Sequence, residues 1–156
     1  MHEYRLIELE SSSALKNFAY KGKIAGFIGM GEDNVKDTIR SALERMSYDV
    51  KVCWGQKHGP DIEAILGSAR ILIEAAGEGS SRQHLGNNFL RSLAEILQRM
   101  TEESIAYGIA LLAHKSYIEL VLKLPHRVRQ LLRLDFYFVR PSENAVEIGV
   151  FRYLAA

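Results

Sequence analysis

An α/β domain with a mixed central sheet flanked by helices is the fold class this chain predicts. Three observations lead there. Amphipathic stretches with apolar residues every three to four positions are interleaved with short apolar runs bounded by turn residues. A two-residue connection, Gly67-Ser68, joins two of those runs and predicts an antiparallel hairpin. The order helix, strand, strand, strand, helix, strand, with further elements behind it, belongs to a layered α/β unit. At 156 residues the chain has the length of one domain, so residues 1–156 are expected to share a single core.

Residues 1–31 form an N-terminal extension. Tyr4 to Leu9 predict an edge strand, Ser11 to Ser13 a turn, and the glycines ending at Gly29-Met30-Gly31 a loop. Those glycines lack the Lys-Ser/Thr pair and the third spaced glycine of phosphate-cradling loops. From Glu32 onward, Val35, Ile39, Leu43 and Met46 recur at helical spacing. Glu32, Asp33 and Asp37 fall in the first turns, where the helix dipole favours negative charge. Tyr48 to Trp54 predict a strand, Gly55 to Gly59 a polar turn, Asp61 to Leu66 a second strand and Ala69 to Ala76 a third. A second helix is expected from about His84 to Met100, with Leu85, Phe89, Leu93, Ile96 and Met100 on one face. On its other side Arg91, Glu95 and Arg99 predict a solvated stripe at i, i+4 spacing. Ala106 to Ala113 predict a buried strand that completes a core motif region, 32–113. Residues 114–156 then supply a helix over Tyr117 to Leu132, restarted at Pro125, and strands over Asp135 to Val139 and Val146 to Tyr153. Pro141-Ser142-Glu143-Asn144 joins those strands.

Composition narrows the function classes. Apolar residues make up 47% and charged residues 25%, as in soluble globular proteins. A formal net charge of +1 gives no global attraction to nucleic acid, so any basic footprint must be local. The single cysteine, Cys53, excludes an internal disulfide and fits a reducing, cytoplasmic setting as a buried structural thiol. No cationic-then-apolar signal pattern opens the chain, and Ile24 to Met30 are too few and too Gly-rich to span a bilayer. No membrane partner is expected.

Chemistry concentrates at Gly59-Pro60-Asp61 and Ile73-Glu74-Ala75-Ala76. Each half lies in an apolar run, so the two carboxylates converge where neighbouring strands meet. Converging acids suit a divalent cation, because Mg²⁺ and its relatives take hard oxygen ligands. An acid inside Ile71 to Ala76 must be paired, bound to metal, or placed where the strand emerges into water. Residues alone leave those readings open. His58, three residues before Asp61, is a lesser candidate, while His84, His114 and His126 lack zinc-ligand spacing and are expected in solvent. Lys115, Lys123, Arg127, Arg129 and Arg133 face one acid, Glu119, along residues 114–133. That segment is either a phosphate-contacting surface or an ordinary solvated helix face. No series of aromatics accompanies it, so single-strand binding by stacking is not supported. No nucleophile elbow or Ser-His-Asp arrangement is legible. Phe136-Tyr137-Phe138 and the final strand hint at a homodimer.

From Glu32 to Ala113 the chain resembles the restriction-endonuclease-like superfamily with its PD-(D/E)-x-K motif, which includes archaeal Holliday-junction resolvases and Mrr-like enzymes. The resemblance rests on an acid opening a helix, Ser47-Tyr48 before a strand, Gly59-Pro60-Asp61-Ile62, and Leu72-Ile73-Glu74-Ala75. A helix containing Asn88 and Gln98 and then a buried strand continue it. It implies a restriction-endonuclease-like sheet and Mg²⁺- or Mn²⁺-dependent hydrolysis of DNA phosphodiesters. Asp61 and Glu74 match the metal-binding acids, and the Ala75 carbonyl would be a further oxygen ligand. Glu32 would be an additional acid or only a favourable charge at a helix N-terminus. The departure is Ala76, where the family has a catalytic lysine. Three explanations stand open: a replacement that disables the enzyme, transfer of the cationic role to Arg82 or Lys115, or a domain that binds without cutting. Weak or absent cleavage is the expectation for a nuclease-like chain with Ala76, and a non-catalytic nucleic-acid-binding domain or complex subunit is the alternative.

Overall fold

Seven strands join in one mixed sheet in the computed structural model, which describes residues 3–22, 30–55, 59–142 and 145–156. In chain order the elements are β1 (Glu3–Glu8), α1 (Ser12–Phe18), α2 (Glu32–Arg45), β2 (Asp49–Val52), β3 (Ile62–Leu66) and β4 (Ala69–Ala75). They continue with α3 (Arg82–Gln98), β5 (Ile105–Leu112), α4 (Lys115–Lys123), α5 (His126–Leu132), β6 (Leu134–Pro141) and β7 (Ala145–Phe151). The strand order across the sheet is β1-β7-β6-β5-β4-β3-β2.

One half of the sheet, from the β2 edge inwards, follows the predicted pattern. β2, β3 and β4 form an antiparallel meander, with Leu66 opposite Ala69 across the Gly67-Ser68 turn. Gly67 has φ +60, the left-handed backbone that glycine adopts without a Cβ penalty. α3 then carries the chain to β5, which pairs parallel with β4. Ser81 caps α3 by accepting the His84 N–H at 3.1 Å. α2 packs over β2 to β5, and α3 packs over β4 and β5.

The N-terminal extension is more ordered than its sequence suggests. β1 is an edge strand, paired parallel with β7. The expected turn at Ser11 to Ser13 is instead the start of α1: the Ser11 side chain accepts the Ala14 N–H at 3.0 Å and the helix begins at Ser12. Serine favours turns and helix caps for the same reason, its side-chain bond to nearby backbone N–H groups, and here the cap prevails. The glycine-rich loop expected before Met30 lies largely outside the described residues.

The aromatic segment read as a dimerisation hint belongs to the protein's own core. Phe136, Tyr137 and Phe138 lie on β6 between β5 and β7 and are all buried. Phe136 stacks at 6.4 Å centroid distance with both Phe89 and Phe138. Among the described residues no helix is long and apolar enough to cross a membrane.

Candidate metal centre

The β3–β4 hairpin brings the two acids together. Ile62 pairs with Ile73 in the antiparallel register, so one step further Asp61 comes opposite Glu74. Residues directly opposite in an antiparallel pair project from the same face. Asp61 is fixed at both carboxylate oxygens. Its Oδ2 accepts the Ala75 N–H at 2.8 Å, and its Oδ1 lies 3.3 Å from Lys36 Nζ.

Glu74 is 1% exposed. Its Oε1 accepts from Arg99 Nε at 2.5 Å, whereas Oε2 is buried with no hydrogen-bond partner. A buried, unpartnered carboxylate oxygen is costly unless a proton or a cation satisfies it. Burial, then a side-chain hydrogen bond with Asp61 and that carboxylate's charge, push the Glu74 pKa up to about 8 against the pull of Arg99, so without a metal ion a proton held towards Asp61 satisfies the pair. Glu95 of α3 completes the group: one oxygen each from Asp61, Glu74 and Glu95 lies within 4.8 Å of the others. Such an acidic triad, with Glu74 buried and Asp61 and Glu95 half-buried, could hold a metal ion.

Lys36, on α2, is fully buried. Its ammonium donates to the Cys53 carbonyl at 2.6 Å and stands 3.7 Å from Glu32 and 3.9 Å from Asp33, besides its contact with Asp61. A buried charge of this kind persists only when paired and hydrogen-bonded. Five carboxylates, Asp61, Glu74, Glu95, Glu32 and Asp33, surround two cations, Lys36 and Arg99. Full ionisation leaves an excess of negative charge that a bound cation would offset. An open cleft of about 460 Å³, lined by Gly31, Glu32, Asp33, Gly55 and Arg91, lies beside Lys36 and its carboxylate partners.

The other expected residues fall in several places. Glu32 belongs with Lys36 rather than with the converging triad, and burial followed by Asp61 raises its pKa while Lys36 and Arg91 oppose. Ala75 contributes its N–H to Asp61. Ala76 is buried, and its N–H donates to the Ala110 carbonyl at 3.0 Å. Arg82 and Lys115 both engage Glu119, at 2.8 and 3.7 Å, so neither pairs with the acids as a replacement for the missing lysine. Lys123 lines a small groove with Arg82 and Glu119, and Arg127 is exposed. Arg133 lines a different cavity, which also contains Glu102 and Glu103. Arg129 is 3% exposed, lies 4.6 Å from the Phe151 ring centroid and donates to the Ala155 carbonyl at 2.8 Å. Its guanidinium is therefore not on the phosphate-facing surface expected of it. His58 lies outside the described residues. His114 caps α4 by accepting the Ser116 N–H at 3.0 Å. Cys53 is half-buried.

The stripe Arg91, Glu95, Arg99 is not simply solvated. Arg99 holds buried Glu74, and Glu95 joins the acids. Amphipathic spacing identifies the dominant apolar face of α3, but not that its polar flank lies over the end of β4. Lys36 was also absent from the expected site, although a signal existed: it falls beside Val35 and three residues before Ile39, inside the apolar stripe of α2. No family model, curated protein or solved structure matches this chain.

Proposed function

We propose that this protein is a divalent-metal-dependent hydrolase of DNA phosphodiesters with a restriction-endonuclease-like fold. The observation that carries the reading is Glu74 Oε2, a buried carboxylate oxygen without a hydrogen-bond partner in a cluster with Asp61 and Glu95. The succession α2-β2-β3-β4-α3-β5 supports it, being the element order on which the family resemblance rests.

Asp61, Glu74 and Glu95 would hold Mg²⁺ or Mn²⁺, with the Ala75 carbonyl as a further oxygen donor. When bound, such an ion polarises a phosphate and eases deprotonation of the attacking water. Arg99 keeps Glu74 oriented through Oε1 and leaves Oε2 for the ion. Lys36 stands in for the lysine absent at position 76: it is a fixed positive charge, 3.3 Å from Asp61, beside the place where charge would build on the phosphate. The cationic role has then moved from β4 to α2.

Ala76 supports a second reading, a domain that binds metal and nucleic acid without cutting, because no ammonium enters from β4. One assay separates the two. Supercoiled, linear and branched DNA are incubated with the protein and Mg²⁺ or Mn²⁺, beside Asp61→Ala and Lys36→Met. Cleavage by the parent that both substitutions abolish supports the hydrolase. DNA and metal binding without cleavage of any of the three substrates supports the binding domain.

A further inference from the structure

Trp54 is the chain's only tryptophan and, among the described residues, its only exposed Phe, Tyr or Trp side chain, at 41%. An indole has a large apolar body that folding usually buries. Its two chain neighbours touch the surroundings of the acids: Cys53 through its backbone, Gly55 through the cleft beside Lys36. Cys53 donates its N–H to the Asp61 carbonyl at 2.9 Å and accepts from Lys36 at 2.6 Å, while Gly55 lines the cleft. The backbone carrying the indole is thus tied to the acid on one side and to the cleft on the other. Arg91 lines the same cleft from α3, is exposed, and no ion pair holds it among the described residues. Its charge is felt at Glu32 and at Tyr117.

We infer that Trp54 and Arg91 form a nucleotide site at the edge of the metal centre. The indole stacks on an unpaired base, and the Arg91 guanidinium takes the adjoining phosphate. The inference rests on the phosphodiesterase reading and deepens it by naming the substrate class: nucleic acid with unpaired nucleotides at the point of attack. Stacking on an aromatic face needs a base freed from its pair, which a blunt duplex does not present.

The lone tryptophan makes the test direct. Its emission is followed while the full chain is titrated with a single-stranded oligonucleotide, once in EDTA to prevent cleavage and once with Ca²⁺ supplied to fill the acid cluster. A blunt duplex of the same sequence and an abasic single strand are the comparisons. The inference expects saturable quenching by the single strand, little by the abasic strand or the duplex, and phosphate-dependent loss of affinity in Arg91→Ala. Trp54→Ala should weaken single-strand binding, read by anisotropy of a labelled strand, by about 5- to 100-fold, with Trp54→Phe close to the parent. Unchanged single-strand affinity in Trp54→Ala, or equal quenching by all three probes, overturns it. A parent that binds neither single strand nor duplex overturns the nucleic-acid reading itself, a different result from a parent that binds both and ignores Trp54.

Discussion

Lys36 Nζ lies 3.3 Å from Asp61 Oδ1, and the two come from a helix and a strand end 25 residues apart in sequence. That contact places a fully buried ammonium beside the acid cluster although β4 supplies only Ala76. It binds the expected metal ligand and the unexpected cation into one unit, so substitution at either should disturb both charge balance and stability.

Lys36→Met keeps the length of the side chain and removes its charge. Asp61 and Glu32 then lose a buried partner, and breaking such a pair costs about 3–5 kcal/mol. Chemical denaturation should show a loss of that order. If the chain cleaves DNA, the rate should fall by about 10²–10³, the usual consequence of removing one group that stabilises developing charge. Wild-type rates in a folded Lys36→Met would assign the lysine to structure alone.

Glu74 predicts a pH dependence with a definite sign. Its folded pKa of about 8 lies above the ordinary 4.5, so between those values the folded chain holds a proton that the unfolded chain has released. Stability of the metal-free protein should therefore fall as pH rises from about 4.5 to about 8. Glu74→Gln removes this slope. After allowance for the lost Arg99 bond and for solvent screening, the variant should exceed the parent by on the order of 2 kcal/mol above pH 8, with the gap closing towards pH 4.5. Denaturation in EDTA across that range measures it.

Two glycines, one against the start of α2 and one inside α3, should respond oppositely to alanine. A Cβ on Gly77 would collide with the Glu32 N and with Gly31, where the loop after β4 meets the start of α2. The Gly77 carbonyl also accepts the Tyr117 hydroxyl at 2.6 Å. Gly77→Ala should cost about 1–3 kcal/mol and lower Tm by several degrees. Gly86, inside α3, has nothing within 4 Å of a built Cβ, so Gly86→Ala should gain about 0.5–1 kcal/mol.

The basic segment should divide by burial. Arg127→Ala and Lys123→Ala are expected to leave stability within about 0.5 kcal/mol of the parent. If they contact phosphate, each should reduce the slope of log affinity against log salt by about one. Arg129→Ala should instead destabilise the fold by about 2 kcal/mol, through its lost hydrogen bond and its place against Phe151, with the salt slope unchanged.

The meander β2–β4, helices α2 and α3 and the Asp61–Glu74 pairing were legible because each depends on local signals: periodicity, a two-residue turn and antiparallel register. α1 was missed because serines suit a turn as well as a cap. The rest of the metal centre was less visible for a different reason. Glu95 and Arg99 are one turn apart on α3, a spacing that also describes any exposed ion pair, and only the position of α3 over β4 makes Arg99 a partner of Glu74. Lys36 did break the apolar pattern of α2, which was a readable anomaly. Arg129 shows the converse, since a run of basic residues on a short helix does not reveal which one turns inward.

The most direct test of the account is calorimetric titration of the metal-free protein with Mn²⁺, with Asp61→Ala, Glu74→Gln and Glu95→Gln measured in parallel. The account predicts saturable uptake of one ion per chain, abolished or weakened at least tenfold in each folded variant. No saturable uptake by the folded parent, or uptake indifferent to all three substitutions, would contradict a metal centre at Asp61, Glu74 and Glu95.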